Sequence, residues 1–358
     1  MSSKKWLKLW VLIFSISILL VALFNYKIDS LGLVAKKGYL DLAAKALANG
    51  KIISGLNNFD ERLFRKKIIE NINYEIEWIA IGSSRTMQLR KRMFLKKDVG
   101  FQNYSVSGAS LEDYMALIQA HYNKFNSYPQ NIILGIDPWI FNRHNGQNRF
   151  LTLEDEYNQF LSILGHDNKK QHESTNNYKK LFSVEYFIEN LKFVKNNFDS
   201  GLKGFEIVTS IDIDTQLREP DGSIQYPLKS RFPDSNEVKK SAIQYTKGSV
   251  YSLERFDRIN NKKLFNHFVK FLQQNKITVY FYLPPYNPYT YDILVEKKEY
   301  QIINEVELFL SSLANKYNIK IIGSYNPHKY GFTNEDFFDG MHSLDSVYII
   351  LFKDLIAI

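Results

Sequence analysis

The stretch "IAIGSSRTMQL", residues 79–89, governs how this chain is read. Apolar residues run into Gly82-Ser83-Ser84-Arg85, and a helix-like segment, "TMQLRKRMFLKK", follows. With its lead-in, "IEWIAIG" (76–82) reads as a buried strand. A strand that ends in two hydroxyls and an arginine is either a packed turn or a place for chemistry.

Moving outward, the same unit recurs. "GFQNYSVSG" (100–108) is a second strand, and a helix follows from Leu111 to Phe125. "NIILGID" (131–137), "ITVYFYLPP" (277–285) and "IKIIG" (319–323) are the third, fourth and fifth strands. A long helix through "EKKEYQIINEVELFLSSLANKY" separates the last two, and "SLDSVYIILFKDLI" is a closing helix. Short apolar strands alternating with amphipathic helices imply an α/β domain, a five-stranded parallel sheet between two helical layers. Residues 139–255 interrupt the alternation with a polar tract and the turn "REPDGSIQY", in which Pro220-Asp221-Gly222 signals a hairpin. This segment is expected to be a mixed insertion that caps the sheet. The α/β domain therefore spans 76–358, and 28–75, with helical spacing in two runs, reads as a juxtamembrane stalk.

The N-terminal 27 residues differ in kind. Lys4, Lys5 and Lys8 precede "LWVLIFSISILLVALF", and Trp6 and Tyr26 bracket about 21 residues, or about 31 Å of helix. No small-x-small cleavage site follows, which favours an uncleaved anchor over a signal peptide. The flanking lysines keep the N-terminus cytoplasmic and put the main domain outside the cell membrane. In the 358-residue chain, 45% hydrophobic and 15% aromatic residues suffice for a large core, and the absence of cysteine removes disulfides and thiolate chemistry. A net charge of +8 without a dense basic tract argues against a nucleic-acid partner. His121, His144, His166, His172, His267 and His328 show no metal-ligand spacing and read as mostly surface residues. Neither metal nor cofactor is expected.

In an open parallel sheet, ligands sit at the carboxyl ends of the strands. Those ends here carry Gly82-Ser83-Ser84-Arg85, Ser107-Gly108-Ala109-Ser110, Asp137-Pro138-Trp139 and Pro284-Pro285-Tyr286-Asn287, with Asp339 and His342 in the loop after the fifth strand. A serine nucleophile needs a base within hydrogen-bond reach and a group to orient that base. Ser84, last before the helix, is the nucleophile candidate, His342 the base and Asp339 the orienting carboxylate. Ser83 is expected to turn back and cap the turn. The N–H groups of Ser84 and Gly108 are candidate oxyanion donors. Arg85 either holds a substrate carboxylate or phosphate or forms a salt bridge at the sheet edge. Asp137 and Trp139 form either a structural turn with an aromatic lid or a substrate contact. Tyr286 and Tyr289 are placed to stack on a sugar ring, and Arg218 is a further candidate substrate contact.

The order and spacing of these blocks resemble the SGNH/GDSL esterase superfamily. Gly82-Ser83-Ser84-Arg85 matches its first block, Gly108 in "NYSVSGAS" its second, and Asp339-Gly340-Met341-His342 its last. Ser83 stands where the family has aspartate, and Asp137 where its third block offers asparagine. A carboxylate there opposes an oxyanion unless it is protonated or turned away. The resemblance implies a flavodoxin-like three-layer fold, the triad Ser84, His342 and Asp339, and no cofactor. The Gly-Ser-Ser start and the single anchor look most like the branch of membrane-anchored polysaccharide O-acetylation and D-alanyl-lipoteichoic acid transfer proteins. That likeness implies an acyl-ester hydrolase or O-acyltransferase acting on a surface polysaccharide or similar polymer, beside a membrane-bound O-acyltransferase. The alternative is a non-catalytic scaffold of the same fold.

Overall fold

The computed structural model describes residues 3–30, 38–57, 59–93, 99–166, 177–198, 204–248 and 250–355. The chain opens with helix α1 (Ser3–Ile28), long and apolar enough to cross a membrane, its side chains mostly exposed. Two helices and a short strand follow: α2 (Tyr39–Ala48), β1 (Ile52–Ser54) and α3 (Glu61–Asn71). They do not stand apart as a stalk. Leu40, Ala43, Ala44 and Leu47 recur at helical spacing along α2, and together with Phe64, Ile68 and Ile69 of α3 they are buried in the main core. The apolar stripe that signalled helix also dictated where the helix must pack.

The sheet follows the expected alternation. Strands β2 (Trp78–Ile81), β3 (Phe101–Asn103) and β4 (Asn131–Gly135) come before the insertion, with α4 (Leu111–Phe125) after β3. The insertion holds α5 (Glu154–Ile163), α6 (Val184–Asn197), β5 (Glu206–Val208), β6 (Leu217–Arg218), β7 (Ile224–Gln225), α7 (Leu228–Arg231) and α8 (Ser235–Lys247). Beyond it lie α9 (Lys262–Gln274), β8 (Thr278–Leu283), α10 (Pro288–Val295), α11 (Ile302–Tyr317), β9 (Lys320–Gly323) and α12 (Asp345–Phe352). The five-stranded sheet has the order β3-β2-β4-β8-β9, and every neighbouring pair is parallel. Alternate residues face opposite ways. Ile79, Ile81, Ile132, Leu134 and Phe281 join one core with α4, α9 and α11, whereas Trp78, Ala80, Ile133, Tyr280 and Tyr282 join a second with α12. Burial on both faces explains why the strands read as unbroken apolar runs.

The remaining strands make an antiparallel sheet of order β5-β1-β6-β7. It joins a strand of the 28–75 region to the insertion, and the Pro220-Asp221-Gly222 turn connects β6 to β7 as the hairpin signal required. The described part of the insertion is mixed α and β.

One element departs from expectation. After β2 the chain makes a turn through Ser84–Gln88 and a 3₁₀ turn at Lys91–Met93, with no α-helix in the described part. The cause is competition for carbonyls. The Asn103 amide donates to the oxygens of Thr86, Met87 and Leu89 at 2.9, 3.3 and 3.0 Å, and the Ile224 N–H also takes Met87 O at 2.9 Å. Oxygens held by distant partners are unavailable to propagate a helix. The tail of the expected helix, 94–97, lies outside the described residues.

Candidate functional site

The edge formed by the strand ends is built on tight backbone. A Cβ on Gly82 would collide with the Thr86 side chain and come to 2.8 Å from Gly135 O, so β2 leaves the sheet with no room for a side chain there. The turn closes with Thr86 N–H on Ser83 O (2.8 Å) and Arg85 N–H on Ser83 Oγ (3.1 Å). Ser83 is thus the buried capping hydroxyl, and Ser84 is left partly exposed beside it.

Across from Ser84, the loop before α12 folds around Asp339. Its Oδ1 accepts the N–H groups of Met341 (2.8 Å) and His342 (2.7 Å), and its Oδ2 lies 2.7 Å from His342 Nδ1. The other ring nitrogen, Nε2, lies 2.9 Å from Ser84 Oγ. Burial pushes the Asp339 carboxyl up, but the His342 ring and the two backbone amides outweigh it and hold it below the usual carboxylate range. The ring is also stacked on Phe338, with centroids 5.4 Å apart and planes 12° from parallel. A hydroxyl, an imidazole and a carboxylate therefore form one hydrogen-bonded chain.

Arg85 faces the other way. It is 1% exposed and ties together four segments: Nη1 to Asp137 Oδ1 (2.9 Å), Nη2 to Pro284 O (2.5 Å), Nε to Met341 O (3.1 Å), and its own carbonyl to the Tyr348 hydroxyl (2.8 Å). Of the two readings open to it, the structure has the salt bridge at the sheet edge. Asp137 is fully buried and turned to that guanidinium. Burial raises its pKa, and Arg85 only partly offsets the effect.

Three expected substrate contacts are corrected. Trp139 is buried, donates Nε1–H to Ala109 O at 3.1 Å and stacks on Tyr251, so it is core and not a lid. Tyr286 is 2% exposed beneath the Arg85 guanidinium, which lies 4.0 Å from its ring centroid; no sugar reaches it. Tyr289 sits by Lys239 and is not among the cleft residues. His121 is also not a surface residue: it is buried in α4 and hydrogen-bonded to Tyr104 Oη at 2.9 Å. His172 lies outside the described residues.

Gly108 has φ +53°, a conformation that favours glycine, and a side chain there would have to displace the ends of Arg149 and Tyr251. Among the described residues, the N–H groups of Ser84 and Gly108 have no intramolecular acceptor.

Ser84 opens onto a cleft of about 630 Å³. Its walls include Arg62 of α3, Arg218 of the β6–β7 hairpin and Arg149. Arg62 is locked on Asp113 by two 2.9 Å bonds, and Arg218 on Glu61 at 3.0 Å. Among the described residues, Arg149 bonds to the neutral Gln147 and Tyr251 side chains. Arg62 and Arg149 had no signal in the sequence: they come from the regions read as stalk and cap. Among the described residues, no group of His, Asp and Glu side chains is placed to hold a metal ion.

No protein-family model and no curated protein sequence matches the chain.

Proposed function

We propose that this protein is an acyl-ester enzyme of the SGNH/GDSL type, a serine hydrolase or O-acyltransferase that works through an acyl-serine. The observation that carries the proposal is the unbroken chain Ser84 Oγ–His342 Nε2, His342 Nδ1–Asp339 at 2.9 and 2.7 Å. His342 takes the proton as Ser84 Oγ attacks an acyl carbonyl, and Asp339, ionised at neutral pH, holds the ring and stabilises the cation. The N–H groups of Ser84 and Gly108, without an intramolecular acceptor among the described residues, offer two donors to the developing oxyanion. His342 then returns the proton to the leaving alcohol. Water or a second hydroxyl attacks the acyl-serine by the reverse path, which gives hydrolysis or transfer.

The 2.9 Å contact of Asp137 Oδ1 with Arg85 supports this reading, because the guanidinium offsets the carboxylate charge that would otherwise oppose the oxyanion. The sheet order β3-β2-β4-β8-β9, second-first-third-fourth-fifth in sequence, supports a flavodoxin-like arrangement and with it the family likeness. We read α1 as an uncleaved anchor with the domain outside the cell membrane, and the substrate as an acylated surface polysaccharide or similar polymer served by a membrane-bound O-acyltransferase. A wide, arginine-lined cleft suits a polymer better than a small ester.

The test is a purified full chain in detergent with p-nitrophenyl acetate and a fluorophosphonate probe. Turnover and labelling that vanish in Ser84→Ala are expected. Turnover unchanged by that substitution, or no labelling of the native protein, would leave the scaffold reading in its place.

A further inference from the structure

Outside the anchor, exposed apolar side chains occur on several elements, and one set lines up along α6 and its C-cap residue. Val184, Ile188, Leu191 and Phe198 are 62, 46, 44 and 71% exposed. With Lys195 they recur at intervals of four and three residues, one stripe on a helix that turns about 100° per residue. The opposite side of α6 is docked: Tyr186 and Asn190 are buried, and Phe193 meets Tyr39 of α2 with ring centroids 4.9 Å apart.

Between these faces lies the anchor. Phe187 packs edge-on against Phe24 of α1 at 5.0 Å. Asn25, in the last turns of α1, is fully buried. Its Nδ2 donates to the carbonyls of Leu181 (2.8 Å) and Ser183 (3.2 Å), and its Oδ1 accepts from Asn190 Nδ2 (2.9 Å). Asn190 Oδ1 in turn accepts the Ser30 N–H at 2.9 Å, and the Tyr186 hydroxyl donates to Asp29 Oδ1 at 2.5 Å. Cleavage of the helix would strip Asn190 of its Asn25 partner, so this junction is built for an α1 that stays.

A hydrocarbon core of about 30 Å takes about 20 helical residues. Counted from Trp6, the span ends close to Asn25, the residue α6 grips. The apolar stripe is therefore held at the level of the outer headgroups, where Lys195, within the stripe, snorkels to the phosphates, while Lys192 beside it is paired with Glu189 at 2.7 Å. We propose that α6 is an in-plane membrane-surface helix that rests its Val184–Ile188–Leu191–Phe198 face on the lipid headgroup–acyl boundary. This rests on reading α1 as a membrane anchor. Because Phe193 bears on α2, which packs on α3 with its cleft residues Glu61 and Arg62, the lipid contact holds the cleft wall in one attitude to the bilayer instead of letting it swing on a tether.

The chain has no cysteine, so single cysteines report cleanly. Full-length protein in phosphatidylcholine–phosphatidylglycerol nanodiscs would carry an environment-sensitive dye at Ile188→Cys, Leu191→Cys or Phe198→Cys. Leu19→Cys in the anchor and the exposed Glu335→Cys serve as controls. With nitroxide lipids as quenchers, the three α6 probes are expected to be quenched at a depth of about 5–10 Å below the headgroups. Leu19→Cys, six residues or about 9 Å of helix below Asn25, should be quenched to a similar depth and Glu335→Cys not at all. Adding Ile188→Glu should release the Leu191→Cys probe from the lipid. Unquenched α6 probes beside a quenched anchor probe would overturn the proposal, as would burial of the stripe only when a second protein is added. An unquenched anchor probe would remove the anchor reading and this inference together, while leaving the esterase assay unaffected.

Discussion

Ser84 and Arg85 are neighbours in sequence and opposites in structure. Ser84 turns its hydroxyl out to His342 and an open cleft; Arg85 turns inward and is sealed against Asp137. Each side carries a carboxylate, fully buried at Asp137 and half-buried at Asp339, and burial alone pushes both upward in pKa. The outcomes differ because the partners differ. Asp339 receives two backbone amides and an imidazole and ends below the usual range, whereas Asp137 has one strong cation and ends above it. The comparison teaches that one strand end can hold a polar group kept available for chemistry and another given wholly to holding the frame.

The two sides should respond differently to substitution. The largest expected effect is Ser84→Ala, a loss of about 10⁶-fold in kcat on an activated ester with no change in the urea midpoint. A parallel fall in stability would blur the distinction. Asp339→Asn should cost about 10⁴-fold in kcat, since the amide favours the wrong imidazole tautomer, and leave KM near its native value. Arg85→Ala should act on the other quantity. It leaves Asp137 buried and unpaired, so unfolding free energy should drop by about 3–5 kcal/mol in a denaturant titration. Arg85→Ala with Asp137→Leu should recover part of that loss. If Arg85→Ala unfolds normally and merely raises KM, the sealed side is a substrate site after all.

The smallest effect separates the two kinds of pH dependence. Burial pushes His121 down to about 4 from an ordinary 6.5. Between those values the unfolded chain binds a proton that the folded chain does not. Stability should therefore fall by about 1.4 kcal/mol per pH unit as pH drops through that window, and return as pH rises above it. His121→Gln, which keeps an acceptor for Tyr104, should flatten this slope in thermal melts. An acid fall in kcat that persists in His121→Gln then belongs to the Ser84–His342–Asp339 chain and not to unfolding.

Much of this was legible in the residues themselves. The five strands start within two residues of their predicted starts, because a strand buried on both faces writes a continuous apolar run. Ser84, Asp339 and His342 were identifiable because the Asp–x–x–His spacing is local and the parallel register brings every strand's carboxyl end to one edge. The expected helix after β2 failed where Asn103 and Ile224 took its carbonyls, a competition that no local pattern records. Position after a strand end suggests a lid or a substrate contact for Trp139 and a sugar-stacking ring for Tyr286. They are core because Tyr251 from the insertion and Arg85 from another strand cover them.

By itself, the sequence determined the α/β alternation, the apolar N-terminal helix and the three residues at the sheet edge that meet in one hydrogen-bonded chain. These follow from periodicity and short spacing, which are properties of neighbouring residues. Only the tertiary structure decided that residues 39–71 are core, that Arg85 and Asp137 neutralise each other, and that Arg62, Arg149 and Arg218 wall the cleft. Those outcomes depend on which distant segment supplies the nearest opposite charge or apolar face, and that is settled only when the chain closes on itself.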